Sequence, residues 1–384
     1  MREMQFAYEQ AESPAFIIDE SRLVRNLELI EKVQEESGVE VILALKGFAN
    51  WSLFPLVKRY LAGATASSLH EARLIFEEMG CKAHTYSPAY FPSEMQQLLE
   101  YSNHISFNSL TQLERYKPDL LAYGGEVSVG LRVNPEYSEV ETDLYNPAIP
   151  GSRLGVMRGQ MPEDLPDIIE GLHVHTLCES SARATEALIE ALENKFAVYF
   201  KRLKWINLGG GHLMTRDNYD LGHLIQVLKR FRSKYPWLKV ILEPGSAIAW
   251  ETGELLSTVL DIVESGGIKT AILDVSFTAH MPDTLEMPYR PQVLGASEQG
   301  NGPFQYRLGG VSCLAGDFME VYGFPQALSI GDRIIFWDMI HYTMVKTTMF
   351  NGVKHPAIYL ANSEKKALLL SKAFTYSDFK NRLG

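Results

Sequence analysis

From about residue 20 the chain alternates short apolar runs with longer stretches in which apolar residues recur every three or four positions. "SRLVRNLELIEKVQEE" predicts a helix with Ser21 as its N-cap, and "VILAL" (41–45) predicts a buried strand. Further along, "LFPLVKRYLA" reads as a helix, "GATAS" as a short strand, and "LHEARLIFEEMG" as a helix stopped by Gly80. The same rhythm continues through "AHTYS", "HISFN", "VSVGLRVN", "EGLHVH", "WINLG" and "LKVILEPG", with helical patterns between most of them and a polar, Pro-rich loop over 134–153. Strands are therefore predicted near 42, 64, 84, 105, 129, 172, 206 and 241. Eight such alternations in about 220 residues predict an α/β chain with a (β/α)₈ TIM-like barrel over residues 20–250. A doubly wound sheet is the competing arrangement.

After about residue 250 the texture changes. "ELLSTVLDIVE", "TAILDVSF", "QYRLGG", "DRIIFWDM" and "PAIYLANS" read as strands set apart by Gly, Pro and Asp turns. This predicts a second, mostly β C-terminal domain over 251–384. The early "PAFIIDE" (14–20) is also strand-like, so residues 1–19 are expected to join the late strands and make this domain discontinuous.

Composition narrows the function classes. The chain has 384 residues, is 46% hydrophobic and carries a formal net charge of −11. A protein that tracks nucleic-acid phosphates is normally basic, so no nucleic-acid partner is expected. Cys81, Cys178 and Cys313 are few, distant and odd in number, which suits a reducing cytoplasm and neither a disulfide framework nor a metal knuckle. No apolar run approaches the ~20 residues of a membrane helix, and "MREMQFAYEQAESPAF" lacks the apolar core of a signal peptide. A cytoplasmic protein with no membrane partner is expected.

In a barrel, chemistry sits at the C-terminal ends of the strands. The polar residues there are Lys46, Ser67, Asn108, Arg132, Asn134, His173, His175, the run Gly209-Gly210-Gly211, and Glu243 in "EPG". A desolvated lysine has a lowered pKa and acts as a nucleophilic amine, although a lysine snorkelling to the rim would look the same. A glycine run lets backbone amides approach a phosphate, although Gly-rich turns are common. Glu243 suits a cationic ring nitrogen or a turn cap, and His175 suits a flat ring or a satisfied core position. Together these are the parts that pyridoxal 5′-phosphate needs. The pair His173/His175 also raises a metal site, but no further ligand set completes it, so no metal is expected.

"LALKGFAN", "GLHVHTLCES", "NLGGGH", "EPGSA", "CLAGD" and "FNG" occur in this order nearly end to end. The chain resembles the fold-type III, alanine racemase-like pyridoxal-phosphate decarboxylases, which include ornithine and diaminopimelate decarboxylases. Within them, "GLHVHTLCES" with "SCLAGD" looks most like the carboxynorspermidine (carboxyspermidine) decarboxylases. The resemblance implies a PLP-dependent carboxy-lyase of polyamine biosynthesis that yields norspermidine or spermidine. It implies a Schiff base on Lys46, His175 stacked on the cofactor, Gly209, Gly210 and Gly211 on its phosphate, and Glu243 on its ring nitrogen. Tyr342 is implied near the phosphate. Cys313 and Asp317 are implied to reach the other subunit's site in a homodimer with shared active sites, with Cys313 as general acid.

The chain also departs from the family's patterns. Cys178 stands where relatives often carry a phosphate-contacting serine, Ser246 where ornithine decarboxylases have an arginine, and Leu314 where diaminopimelate decarboxylases have a glutamate. For the distal ammonium groups of the substrate, the candidate acids are Asp274, Asp283 and Asp317, of which the motif supports Asp317. Decarboxylation of another basic amino acid, of the diaminopimelate, ornithine, lysine or arginine type, is the alternative. A non-catalytic regulator on the same fold is the other.

Overall fold

The computed structural model describes residues 2–287 and 289–384. The chain divides into two compact units, one of residues 26–248 and one made of the segments up to Arg25 and from Ala249 onward.

The first unit is a parallel barrel. Its strands are Glu40–Val41 with Leu43–Ala44, then Ala64–Ala66, Ala83–Tyr86, Ser102–Phe107, Ser128–Asn134, Ile169–His173, Trp205–Asn207 and Lys239–Leu242. They pair in chain order, and the last returns to the first: Ile241 lies against Glu40 and Leu242 against Val41. Leu43 and Ala44 pair on the other side with Ala64 and Thr65. The first strand thus closes the ring, and Ile42 between its halves donates its N–H to Leu242 O at 2.9 Å. All eight predicted strands are present, so the barrel expectation is borne out and the doubly wound alternative falls.

The barrel strands are apolar runs because both faces are covered. Val41 to Leu45 are all essentially inaccessible. Trp205 fills much of the space at the strand starts: a Cβ on Gly171 would lie 2.0 Å from its ring, so the neighbouring strand leaves that room open. Its Nε1 donates to Ser128 Oγ at 2.8 Å, which satisfies the one polar atom it buries. Truncating such a side chain to alanine typically costs about 3–5 kcal/mol. On the outside, helix Ala182–Phe200 starts where Ser181 Oγ accepts the Ala184 N–H, and it buries Leu188, Leu192, Phe196 and Phe200 at helical spacing.

In the second unit, Ala15–Asp19 runs antiparallel to Gly253–Ser265 and parallel to Ala357–Asn362, so the early strand does pair with the late ones. Two strands escaped the sequence reading. They are Phe318–Phe324, and Ala367–Lys372 at an edge, whose Leu369 and Leu370 are exposed and break the apolar-in, polar-out alternation. The helix predicted from Ser21 begins at Glu20, because Asp19 Oδ1 accepts the Ser21 N–H at 3.0 Å and caps the first turn. Arg22, one turn in, lies 3.3 Å from Asp19 Oδ2 and 2.5 Å from Glu254 Oε1, over the Trp337 ring at 4.9 Å. That buried cluster ties the helix start to this unit, and the division falls after Arg25 rather than after residue 19. Among the described residues no helix is long and apolar enough to cross a membrane.

Candidate active site

The first strand ends in a tight turn in which the Gly47 and Phe48 N–H groups both donate to Ala44 O, at 3.0 and 3.2 Å. A Cβ on Gly47 would lie 2.6 Å from Gly245 Cα. Only glycine fits there, and its absence of a side chain lets the turn after strand one press against the "EPG" turn after strand eight. The contact puts Lys46 and Glu243 on one rim. They line a cavity of about 90 Å³ with Thr65, Ser67, Tyr86, Arg132, His173 and His175. A larger hollow, about 380 Å³, is lined by Gln34, Glu40, Arg232 and Trp237 near the strand starts. That end of a barrel serves stability, so the smaller cavity is the candidate site.

Glu243 is buried, and its two oxygens are held from both sides. His173 Nε2 donates to Oε1 at 3.1 Å and Asn207 Nδ2 to Oε2 at 3.0 Å. Burial pushes its carboxyl up, but the attraction of His173 and its hydrogen bond outweigh this and hold the group well below the usual carboxylate range. Asn207 Oδ1 in turn accepts the Gly209 N–H at 2.8 Å, and Gly209 O accepts the Glu243 N–H at 2.9 Å. The glycine turn and the carboxylate are therefore one hydrogen-bonded assembly.

Lys46 Nζ lies 3.0 Å from His175 Nε2, and His175 Nδ1 accepts the Gly210 N–H at 2.8 Å. Burial lowers the Lys46 pKa, Glu243 opposes this, and Arg132 reinforces it. Burial likewise drives His175 well below its ordinary value, helped by Lys46 and Arg132. Arg132 Nη2 donates to His175 O at 2.9 Å, and its guanidinium lies 4.5 Å from the centre of the Tyr86 ring. Tyr86 is steered by Asn108, which accepts its hydroxyl at 2.8 Å.

Lys46, His175, Glu243 and the Gly209–Gly211 turn are brought together in the barrel unit. The turn is not an empty row of donors, since the Gly209 and Gly210 N–H groups are taken by Asn207 and His175. Tyr86, Thr65 and Asn207 were missed. Tyr86 is the last residue of the third strand, a strand-end position like the others. Asn207 is likewise the last residue of its strand.

The remaining candidates lie in the second unit. Asp317 is buried, and its carboxylate accepts the N–H groups of Phe277 (2.7 Å), Thr278 (3.1 Å) and Ser312 (3.1 Å). Asp274 accepts from Thr258 N–H (2.9 Å), Ser257 Oγ (3.0 Å) and Ser13 Oγ (2.5 Å). Both carboxylates accept all these bonds from their own unit. Asp283 differs. Its Oδ2 accepts from Tyr289 OH and Thr343 Oγ1, at 2.9 and 2.7 Å, while its buried Oδ1 has no partner among the described residues. Cys313 is a free, exposed thiol whose N–H donates to Asn351 Oδ1 at 2.9 Å. Tyr342 has positive φ in the segment after Asp338.

A buried amine, an imidazole and an ionised carboxylate around one small cavity, beside a glycine turn, are a donor set fitted to an aromatic aldehyde with a basic ring nitrogen and an anionic tail. That defines an enzyme of the barrel class that works through a carbonyl cofactor. Residues 15–340 match the family described as "Pyridoxal-dependent decarboxylase, C-terminal sheet domain". The chain belongs to the pyridoxal-dependent decarboxylases; it is a carboxy-lyase, and its cofactor is pyridoxal 5′-phosphate. It is 51% identical over 372 residues to the carboxyaminopropylagmatine decarboxylase of Synechocystis sp., covering 97% of this chain and 95% of that one. It is 42% identical over 386 residues to the carboxynorspermidine/carboxyspermidine decarboxylase of Campylobacter jejuni, covering 98% and 99%. The crystal structure of carboxynorspermidine decarboxylase complexed with norspermidine from Campylobacter jejuni superposes with a TM-score of 0.88 at 41% identity, over 97% of this chain and 100% of that one. The resemblance read from the motifs is borne out.

Proposed function

We propose that the chain decarboxylates a polyamine carrying a carboxylated aminopropyl group. The observation that carries this is the convergence of Lys46, His175 and Glu243 on one cavity in a chain so similar to carboxynorspermidine/carboxyspermidine decarboxylase. The relatives' substrate names share the reacting end and differ at the far end, an ammonium in one set and the guanidinium of agmatine in the other. Carboxynorspermidine and carboxyspermidine are the first reading. Carboxyaminopropylagmatine is the second, favoured by the higher identity to the Synechocystis enzyme.

Lys46 would hold the cofactor covalently, Glu243 would meet its ring nitrogen, and His175 would face the ring. Tyr342 and the Gly209–Gly211 turn, through what Asn207 and His175 do not already take up, would serve its phosphate. When bound, pyridoxal phosphate supplies a sink for the electron pair released as CO₂ leaves. Glu243, kept ionised and oriented by His173 and Asn207, supplies a preorganised negative charge. Cys313 delivers a proton to the substrate carbon that has lost CO₂, a step of a kind often worth ~10²–10⁴-fold. Asp283 is the carboxylate for the distal cation, replacing Asp317 and Asp274. What supports it is Oδ1, which has no partner among the described residues, since a dry carboxylate oxygen without a donor is costly and a cation removes that cost. The reading includes a cytoplasmic homodimer with shared sites; it rests on the family likeness and on the exposed Cys313 and Leu314, with exposed Phe350 next to the Asn351 that Cys313 bonds.

The test is steady-state kinetics of CO₂ release on carboxynorspermidine, carboxyspermidine, carboxyaminopropylagmatine, diaminopimelate, ornithine, lysine and arginine. A kcat/KM highest on one of the last four overturns the polyamine reading.

A further inference from the structure

His175 is held by two contacts whose hydrogen-bonding senses constrain each other. The Gly210 N–H points at Nδ1 from 2.8 Å, and a backbone amide only donates, so Nδ1 carries a lone pair and no proton. In the neutral ring the proton then sits on Nε2. That nitrogen is 3.0 Å from Lys46 Nζ, so the imidazole is the donor and the amine must accept. An ammonium has no lone pair and would place two donors face to face. The charges facing Lys46 point the same way. Arg132 and Glu243 act on it in opposite senses, Glu243 is engaged by His173 and Asn207, and Cys178 and Glu71 act more weakly than either. A further buried positive charge would lack a bonded counter-ion.

We infer that the Gly210 amide sets the tautomer of His175, and that His175 thereby keeps Lys46 an uncharged amine, ready to bond a carbonyl carbon, whenever the lysine is not joined to the cofactor. His175 is in this respect a positioning residue for the lysine's charge state, in addition to any contact with the cofactor ring. The nucleophile then needs no base to remove a proton first. The amine attacks the aldehyde carbon, a nitrogen–carbon bond forms, and the aldehyde oxygen leaves as water with the two protons from nitrogen. This rests on the pyridoxal chemistry of the site and is independent of which amino acid is decarboxylated.

The test is the rate at which cofactor-free protein captures pyridoxal phosphate, sampled by borohydride quenching and quantified on the Lys46 peptide by mass spectrometry between pH 7 and 9. With Lys46 held uncharged the rate is nearly independent of pH. In His175→Gln an amide oxygen can accept from Lys46 and admits the ammonium form. The rate should then climb toward tenfold per pH unit, as the free-amine fraction of an ordinary lysine does. The slope is read within each protein, so a variant that binds the cofactor more weakly is still informative, and a thermal melt checks folding. His175→Phe, with neither donor nor acceptor, should fall between the two. A wild-type rate that climbs about tenfold per unit overturns the inference. A flat profile in His175→Gln also overturns it, because burial alone would then be sufficient.

Discussion

Asp283→Asn and Asp317→Asn make the same chemical change at two acids that the structure treats differently, and their contrast tests the substrate reading. At Asp283 the paired oxygen faces two hydroxyls and the other has no partner among the described residues. The amide can keep its oxygen toward Tyr289 and Thr343, so folding should be little affected. What is lost is a negative charge where a cation is proposed to bind. A charge-assisted hydrogen bond is worth about 1.5–3 kcal/mol, which converts to a fall of about 10- to 150-fold in kcat/KM for a triamine substrate. A short amino acid without the distal cation should lose almost nothing.

At Asp317, Oδ1 receives two backbone N–H groups and Oδ2 a third. An asparagine has one carbonyl oxygen, so in either orientation at least one backbone N–H meets an NH₂. The expected cost is about 1–3 kcal/mol of stability, with a similar fractional loss of activity on every substrate. The assays are kcat/KM on a long and a short substrate for each variant, with urea midpoints alongside. Equal losses on both substrates for Asp283→Asn would remove Asp283 from recognition. A selective loss in Asp317→Asn at unchanged stability would return the distal contact to Asp317 and refute the argument from its hydrogen bonds.

Lys46→Ala should abolish turnover in a folded protein, and borohydride reduction of the holoenzyme should label Lys46; a label on another lysine contradicts the assignment. Mixing inactive Lys46→Ala with inactive Cys313→Ala subunits should restore part of the activity, whereas mixtures that stay dead under subunit exchange count against shared sites. Burial raises the Glu254 carboxyl above its ordinary 4.5, and Asp19 adds to this, more than Arg22 lowers it. The folded chain therefore keeps a proton that the unfolded chain has released, so this contribution is full below about pH 4.5 and is lost as pH rises through the folded value. Glu254→Gln keeps an acceptor for Arg22 without the charge, so its urea midpoint should improve relative to the parent as pH rises from about 4.5 to 7. A relative midpoint that falls over that range would refute it, and Arg22→Met, which leaves buried Asp19 and Glu254 without their cation, should cost about 3–5 kcal/mol.

What the sequence made legible follows from the range of the interactions involved. Barrel strands announce themselves because each is an unbroken apolar run, and the rim residues follow because chemistry collects where those runs end. Lys46, His175 and Glu243 are each read from a few neighbouring letters, and their convergence follows from the barrel alone. Ala367–Lys372 was missed because an exposed edge strand need not alternate. Asp317 and Asp274 show a deeper limit. Whether a carboxylate is free for a ligand depends on which backbone amides reach it, and those of Asp317 come from 277 and 278 as well as from the nearby 312. No spacing in the chain encodes that distant pairing, so a motif that names Asp317 gives its presence but not what its oxygens accept. Asp283 differs: its "MPD" matches none of the family motifs, yet its Oδ1 has no partner among the described residues. For acids in loops, availability is decided by the hydrogen bonds already made, and the sequence shows only the candidates.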